Sequence, residues 1–132
     1  MFDERKLVSI YTPIQYSLKR VKNELRKRYI SSGIKPVYGK LLRPTIALFA
    51  SHSFEKKDHS KDVILATALE LIHNASLIHD DILDDEFMRR SDSALHIPLG
   101  LKKALLFGDS LFTQALKMIQ ELDHPTILSS II

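Results

Sequence analysis

The sequence predicts an all-α fold, an antiparallel helical bundle, on three observations. Its 132 residues include only four glycines and five prolines. These residues punctuate long stretches in which apolar side chains recur at helical spacing, rather than short stretches that alternate apolar with polar. Hydrophobic residues make up 45% of the chain, enough for one core of ordinary size, so residues 1–132 are expected to form a single domain.

A first helix is expected over residues 3–30, ended by Ser31, Ser32 and Gly33, since glycine tolerates the left-handed conformation that closes a helix. A second is expected over 44–54, with Pro44 in its first turn, where the missing N–H is not needed. The third, over 61–86, is apolar nearly all round through Val63, Ile64, Leu65, Leu69, Leu71, Ile72, Leu77 and Ile78, which places it in the middle of the bundle. Pro98 and Gly100 separate it from a fourth over 101–122. Another apolar stretch begins near residue 125 without a cap or a polar finish. It is expected to need a partner surface, either further chain or another subunit.

With no cysteine, neither a disulfide framework nor a thiolate metal site is available. No stretch approaches the roughly 20 apolar residues of a membrane span, and Met1 to Lys6 lack an apolar segment behind them, so a cytoplasmic protein is expected. The net charge of +3 divides unevenly. Residues 1–60 carry 13 Lys and Arg against 5 Asp and Glu, and residues 61–132 carry 6 against 11, giving +8 and −5. Aromatic residues are too thinly interleaved for a nucleic-acid platform, and the run Lys19, Arg20, Lys22, Arg26, Lys27, Arg28 reads as a solvated helix face.

Asp80, Asp81, Asp84, Asp85 and Glu86 crowd the end of the third helix, where the helix dipole already disfavours negative charge. Asp80 and Asp84 are four residues apart and Asp81 is three from Asp84, so three carboxylates are expected to converge on one patch. Either Arg89 and Arg90 neutralise them or a hard divalent cation does. Magnesium takes oxygen ligands, typically one or two carboxylates together with substrate phosphates. Lys40 and Arg43 beside the start of the second helix are surface charges or part of an anion site. His73, seven residues before Asp80, is a core histidine or a donor to a phosphate oxygen.

The strings GKLLRP, ALELIHNASLIHDDILDDEFMRR and ALLFGDSLFTQAL, in that order between Gly39 and Leu116, resemble the trans-isoprenyl diphosphate synthases, the polyprenyl synthetase family. The central string contains that family's first aspartate-rich motif, DDxxD, as Asp80, Asp81 and Asp84. The resemblance implies the N-terminal half of an isoprenoid (terpenoid) synthase bundle. It also implies a prenyltransferase reaction in which an allylic diphosphate ionises with Mg2+ assistance and isopentenyl diphosphate attacks the cation. Asp80, Asp81 and Asp84 would then be the catalytic metal ligands and Arg89 would hold the allylic diphosphate. Lys40, Arg43, His73 and Arg90 would bind isopentenyl diphosphate. Ala75 and Ser76, small and just below the motif, would leave a tunnel open to products longer than farnesyl, with Ile72 and Leu69 towards its floor. The chain differs from the family pattern at Tyr38 and Ser91, where glycine is usual, at Leu41, where arginine is, and at Ser93, where proline is. A second aspartate-rich motif is absent, so activity is expected only with a complementing segment or partner subunit in a homo- or hetero-oligomer.

Two other readings compete. Glu70 to His73 and Glu121 to His124 both spell Glu-x-x-His, the spacing of di-iron carboxylate bundles. However, His124 precedes Pro125, a position pushed away from helical geometry. A non-catalytic or regulatory subunit of a synthase is the second alternative.

Overall fold

The computed structural model describes residues 4–36, 38–54, 58–124, 126, 129 and 130. Helix α1 spans Glu4–Ser31, α2 Leu42–His52, α3 Ser60–Leu83 and α5 Leu101–Glu121. A two-residue-per-strand hairpin, β1 Met88–Arg89 and β2 Asp92–Ser93, and a single-turn helix α4, His96–Leu99, fill the connection between α3 and α5. The helical architecture agrees with the sequence reading. The hairpin and α4 were not anticipated, and the stretch expected from about residue 125 lies largely outside the described residues.

Burial follows the helical period. On α1, Ile14, Ser17, Val21, Leu25 and Tyr29 face inward at intervals of three and four. On α5 the inward face is Ala104, Phe107, Gly108, Leu111, Ala115, Met118 and Ile119. Helix α3 is the hub, packing on α1, α2 and most extensively on α5. Among the described residues it is the one helix buried on more than one side, as its apolar circumference anticipates.

Helix α3 runs antiparallel to α5. His79 near its end meets Gly108 and Leu105, while Val63 and Ile64 near its start share a cavity with Met118 and Glu121. Gly108 leaves room at that crossing for the His79 ring, which a Cβ there would displace. Tyr29 ties α1 to α3 through a hydrogen bond with Asn74, and burial pushes its phenol up to about 12 despite that bond.

Two helix ends share a closure in which a left-handed residue turns the next N–H back to a carbonyl five residues earlier. Ile34 N–H donates to the Tyr29 carbonyl at 3.0 Å and Gly33 N–H to the Ile30 carbonyl at 2.9 Å, with Gly33 at φ 70°, a Schellman closure. Helix α3 stops at Leu83 rather than 86 because the same closure recurs without a glycine. Asp85 takes φ 52°, and Glu86 N–H donates to the Asp81 carbonyl at 2.9 Å.

Candidate diphosphate and metal site

Four cationic or imidazole side chains that the sequence scatters over 51 positions line one cleft. Lys40 comes from the segment before α2, Arg43 from the first turn of α2, His73 from the middle of α3 and Arg90 from the hairpin turn. The cleft measures about 630 Å³, within the ordinary range for small-ligand sites, and Tyr38, Gly39, Leu41, Leu42 and Glu70 complete its walls. Burial, then the positive charges of Arg43, Arg90 and Arg89, hold the His73 imidazole below its ordinary value against the opposing effect of Asp80. This environment favours the neutral ring of His73, which keeps one N–H to donate to an anion.

Backbone conformation sets this geometry. Leu41 precedes α2 at φ 51°, ψ 38°, a left-handed conformation that turns its buried side chain into the core while Lys40 and Arg43 stay exposed. The hairpin turn places Arg90 at φ 50° and Ser91 at φ 68°, the paired positive φ of a type I′ turn. Gly39 is where the Arg90 guanidinium passes, since a Cβ at residue 39 would collide with its Cζ and both terminal nitrogens. The glycine admits Arg90 to the cleft.

The acidic end of α3 is built differently. Asp81 is buried and its two carboxylate oxygens accept a bidentate pair from Arg89, Nε to Oδ2 at 2.7 Å and Nη2 to Oδ1 at 2.5 Å. That bond holds the guanidinium above its ordinary value. The pair lies in a smaller cavity of about 120 Å³, lined by Tyr29, Asn74 and the hairpin. Asp80 and Asp84 are exposed, with Asp84 capping the helix through its N–H to the Asp80 carbonyl at 2.8 Å. The three carboxylates thus do not converge on one point. Among the described residues no three acidic or imidazole side chains are grouped to hold an ion. The helix phase explains the difference: Asp81 falls on the inward face, where an unpaired charge is costly, and Asp80 on the outward one.

The residues expected below the motif divide in the same way. Ser76, exposed, and Leu69 and Ile72, half-buried, lie on or beside the face of Asp80, with the Ser76 hydroxyl donating to the Ile72 carbonyl at 3.1 Å. Ala75 is 2% exposed and packs into the core, so it does not border that face.

The two Glu-x-x-His segments lie in separate places. Glu70 and His73 line the cationic cleft, while Glu121 borders a cavity with Arg20, Lys27 and Arg28, and His124 lies beyond the end of α5. A shared di-iron centre is not formed. Sequence reasoning missed Glu70 as a wall of the anion cleft and Gly39 as the passage for Arg90. Glu70 was detectable as an acid on an otherwise apolar stretch, one turn before His73.

Among the described residues, no helix is long and apolar enough to cross a membrane. The chain is 39% identical over 119 residues to a short chain isoprenyl diphosphate synthase of Methanothermobacter thermautotrophicus, covering 90% of this chain and 34% of that protein. It is 34% identical over 130 residues to heptaprenyl diphosphate synthase component 2 of Geobacillus stearothermophilus, covering 91% of this chain and 40% of that one. The fold superposes on a polyprenyl synthase of Caulobacter crescentus, solved with calcium and isoprenyl diphosphate, with a TM-score of 0.68 and 26% identity over 94% of this chain and 38% of that structure. The 132 residues therefore span well under half the length of these relatives. Residues 27–132, which carry the cleft, the Asp81–Arg89 pair and the acidic helix end, match the polyprenyl synthetase family, and the chain belongs to it.

Proposed function

We propose that this chain supplies the isopentenyl diphosphate cleft and the first metal-binding acids of a trans-prenyltransferase. That enzyme joins isopentenyl diphosphate to an allylic diphosphate. The observation that carries the reading is the meeting of Lys40, Arg43, His73 and Arg90 in one cleft. Three fixed cations and a neutral imidazole donor suit a diphosphate, whose charge is spread over several oxygens.

Asp80 and Asp84 are the metal ligands in this reading. Both are exposed and all-oxygen, and magnesium needs only one or two carboxylates when phosphates complete its shell, so the donor set fits. When bound, the ion supplies positive charge to a leaving diphosphate. Asp81 acts through Arg89, holding the guanidinium so that Nη1, which is not used in the pair, faces the allylic diphosphate. Ser76, Ile72 and Leu69, below Asp80, border the growing chain, and the small Ser76 suits products longer than farnesyl.

A second acidic motif must come from outside these 132 residues, as further polypeptide or as a partner subunit. A relative described as one component of a heptaprenyl synthase, of which this chain covers 40%, is in keeping with a partner subunit in the working enzyme. The test is equilibrium binding of isopentenyl diphosphate to this chain, followed by a prenyltransferase assay with and without candidate complements. Lys40→Ala and Arg43→Ala should each weaken isopentenyl diphosphate binding at least tenfold or so, as expected for a lost charge-assisted phosphate contact. Asp80→Ala with Asp84→Ala should abolish only the magnesium-dependent binding of an allylic diphosphate, with helicity intact. Unchanged binding in the cleft variants would remove the reading.

A further inference from the structure

Glu70 is 4% exposed, lines the cationic cleft, and leaves Oε2 buried without a hydrogen-bond partner among the described residues. A buried carboxylate in that condition is costly, and the fold could have placed an apolar residue on this turn of α3. The charges around it explain why it is tolerated. Arg43 of α2 and Arg90 of the hairpin act on it favourably, although neither bonds to it. The other titratable groups facing the cleft are Lys40 and Tyr38 from the segment before α2 and His73 from α3 itself, and Tyr29 of α1 senses Glu70 from behind.

Arg43 and Arg90 are the side chains that the proposed function assigns to a diphosphate, so Glu70 and that ligand compete for the same cations. The geometry points to Glu70 as the counter-charge of the diphosphate cleft: its carboxylate offsets Arg43 and Arg90 until the ligand enters, and then takes a proton from solvent. Diphosphate binding is thereby proton-coupled, and Glu70 sets the affinity of the cleft as pH changes. Burial outweighs the two arginines and already raises the carboxyl above the ordinary glutamate value, so uptake requires only a further rise when phosphate oxygens arrive. Neutral Glu70 would also have an O–H to donate to the bound anion. The inference rests on the cleft reading of the proposed function.

The sign follows from linkage. Where Glu70 is already protonated, the ligand meets no opposing charge. As pH rises through its ionisation, each binding event must also capture a proton, and affinity falls. His73 and the diphosphate titrate in the same region, so the informative quantity is the difference between wild type and Glu70→Gln, which has the same shape and no charge.

Calorimetric titration of this chain with inorganic pyrophosphate, in paired buffers of different ionisation enthalpy from about pH 4.5, the ordinary glutamate range, to about pH 8, gives affinity and proton count together. Wild type should take up more protons than Glu70→Gln near neutrality. Glu70→Gln should bind roughly three- to tenfold more tightly at the upper end, with the two converging at the lower end. Equal proton counts and equal affinities would overturn the inference while leaving the cleft reading intact. Weaker binding by Glu70→Gln at every pH would also overturn it, making Glu70 a brace for the arginines. If neither protein binds pyrophosphate, the cleft reading fails and the inference fails with it. Glu70→Met is the second variant should Glu70→Gln lose helicity, since an apolar replacement for a buried charge is commonly neutral or stabilising. The same pH-dependent divergence is expected of it.

Discussion

His73 and Asp80 lie two turns apart on one face of α3, yet the regions around them differ in how much of their charge the fold itself settles. The cleft around His73 is enclosed by α2, α3, the hairpin and the segment before α2, and its excess positive charge is offset by one buried acid whose Oε2 has no hydrogen-bond partner among the described residues. At the helix end, the buried acid Asp81 is fully paired with Arg89, and Asp80 and Asp84 stand in solvent. The first region is assembled and short of an anion. The second has a finished internal strut and two acids whose partner must come from outside. An ion pair built into the structure is a support, while charge left unsettled marks where a ligand belongs.

The largest test of that contrast removes the strut. Arg89→Ala leaves the Asp81 carboxylate buried and unpaired, and should destabilise the chain by about 3 kcal/mol, the low end for removing one partner of a buried pair because Arg89 is partly exposed. Urea unfolding followed by circular dichroism measures it. Asp80→Ala, by contrast, should leave stability within about 0.5 kcal/mol or raise it, since it relieves repulsion at a helix C-terminus. Equal losses in the two variants would dissolve the distinction between strut and ligand.

In the cleft, the contrast predicts loss of binding without loss of fold. Arg43→Ala should cost about 2 kcal/mol of isopentenyl diphosphate affinity, as for a charge-assisted hydrogen bond, with a loss of stability below about 1 kcal/mol, because Arg43 is exposed and Glu70, which it offsets, can take a proton in its place. Titration calorimetry alongside the unfolding curve separates the two quantities. A variant that loses both would make Arg43 part of the architecture.

Much of this was legible in the sequence, and the failures have physical causes. The four long helices were readable because apolar spacing and the terminators Gly33, Pro44 and Gly100 agree with one another. The cleft residues were identifiable through the resemblance, but their meeting depends on two left-handed residues that carry side chains, Leu41 and Arg90, and residue type does not announce such conformations. The convergence of Asp80, Asp81 and Asp84 was overstated because spacing of three and four says which residues are neighbours on a helix, not which of them faces the core. Asp81 shares the inward side with Ile78, and burial forced it to find an arginine. Ala75, next to Ser76 in sequence, likewise lies on the core side.

Gly39 gives a sharper test of how assembled the cleft is. A methyl group there would occupy the path of the Arg90 guanidinium, a flexible group that can swing away at little cost to the fold. Gly39→Ala should therefore weaken diphosphate binding by about tenfold, the loss of one misdirected phosphate contact, with unfolding changed by less than about 1 kcal/mol. If affinity holds, Arg90 reaches the ligand by another path and the passage is incidental.

The smallest expected effect probes the hairpin from the opposite direction. Ser91 holds φ 68° in the second central position of the turn, where a side chain meets its own backbone and glycine does not. Ser91→Gly should stabilise the chain by about 1 kcal/mol, because the relief of left-handed strain exceeds the added freedom of the unfolded glycine. The turn also carries Arg90 into the cleft and begins next to Arg89, so relaxing it acts on both regions at once. A turn relieved of strain should tighten diphosphate binding through Arg90 by a few tenths of a kcal/mol and leave the Asp81–Arg89 pair unaltered. Paired measurement of the unfolding midpoint and pyrophosphate affinity in Ser91→Gly tests both. Higher stability with unchanged affinity would show that the hairpin serves the strut alone, and that Arg90 is positioned by Gly39 and the cleft wall rather than by its own turn.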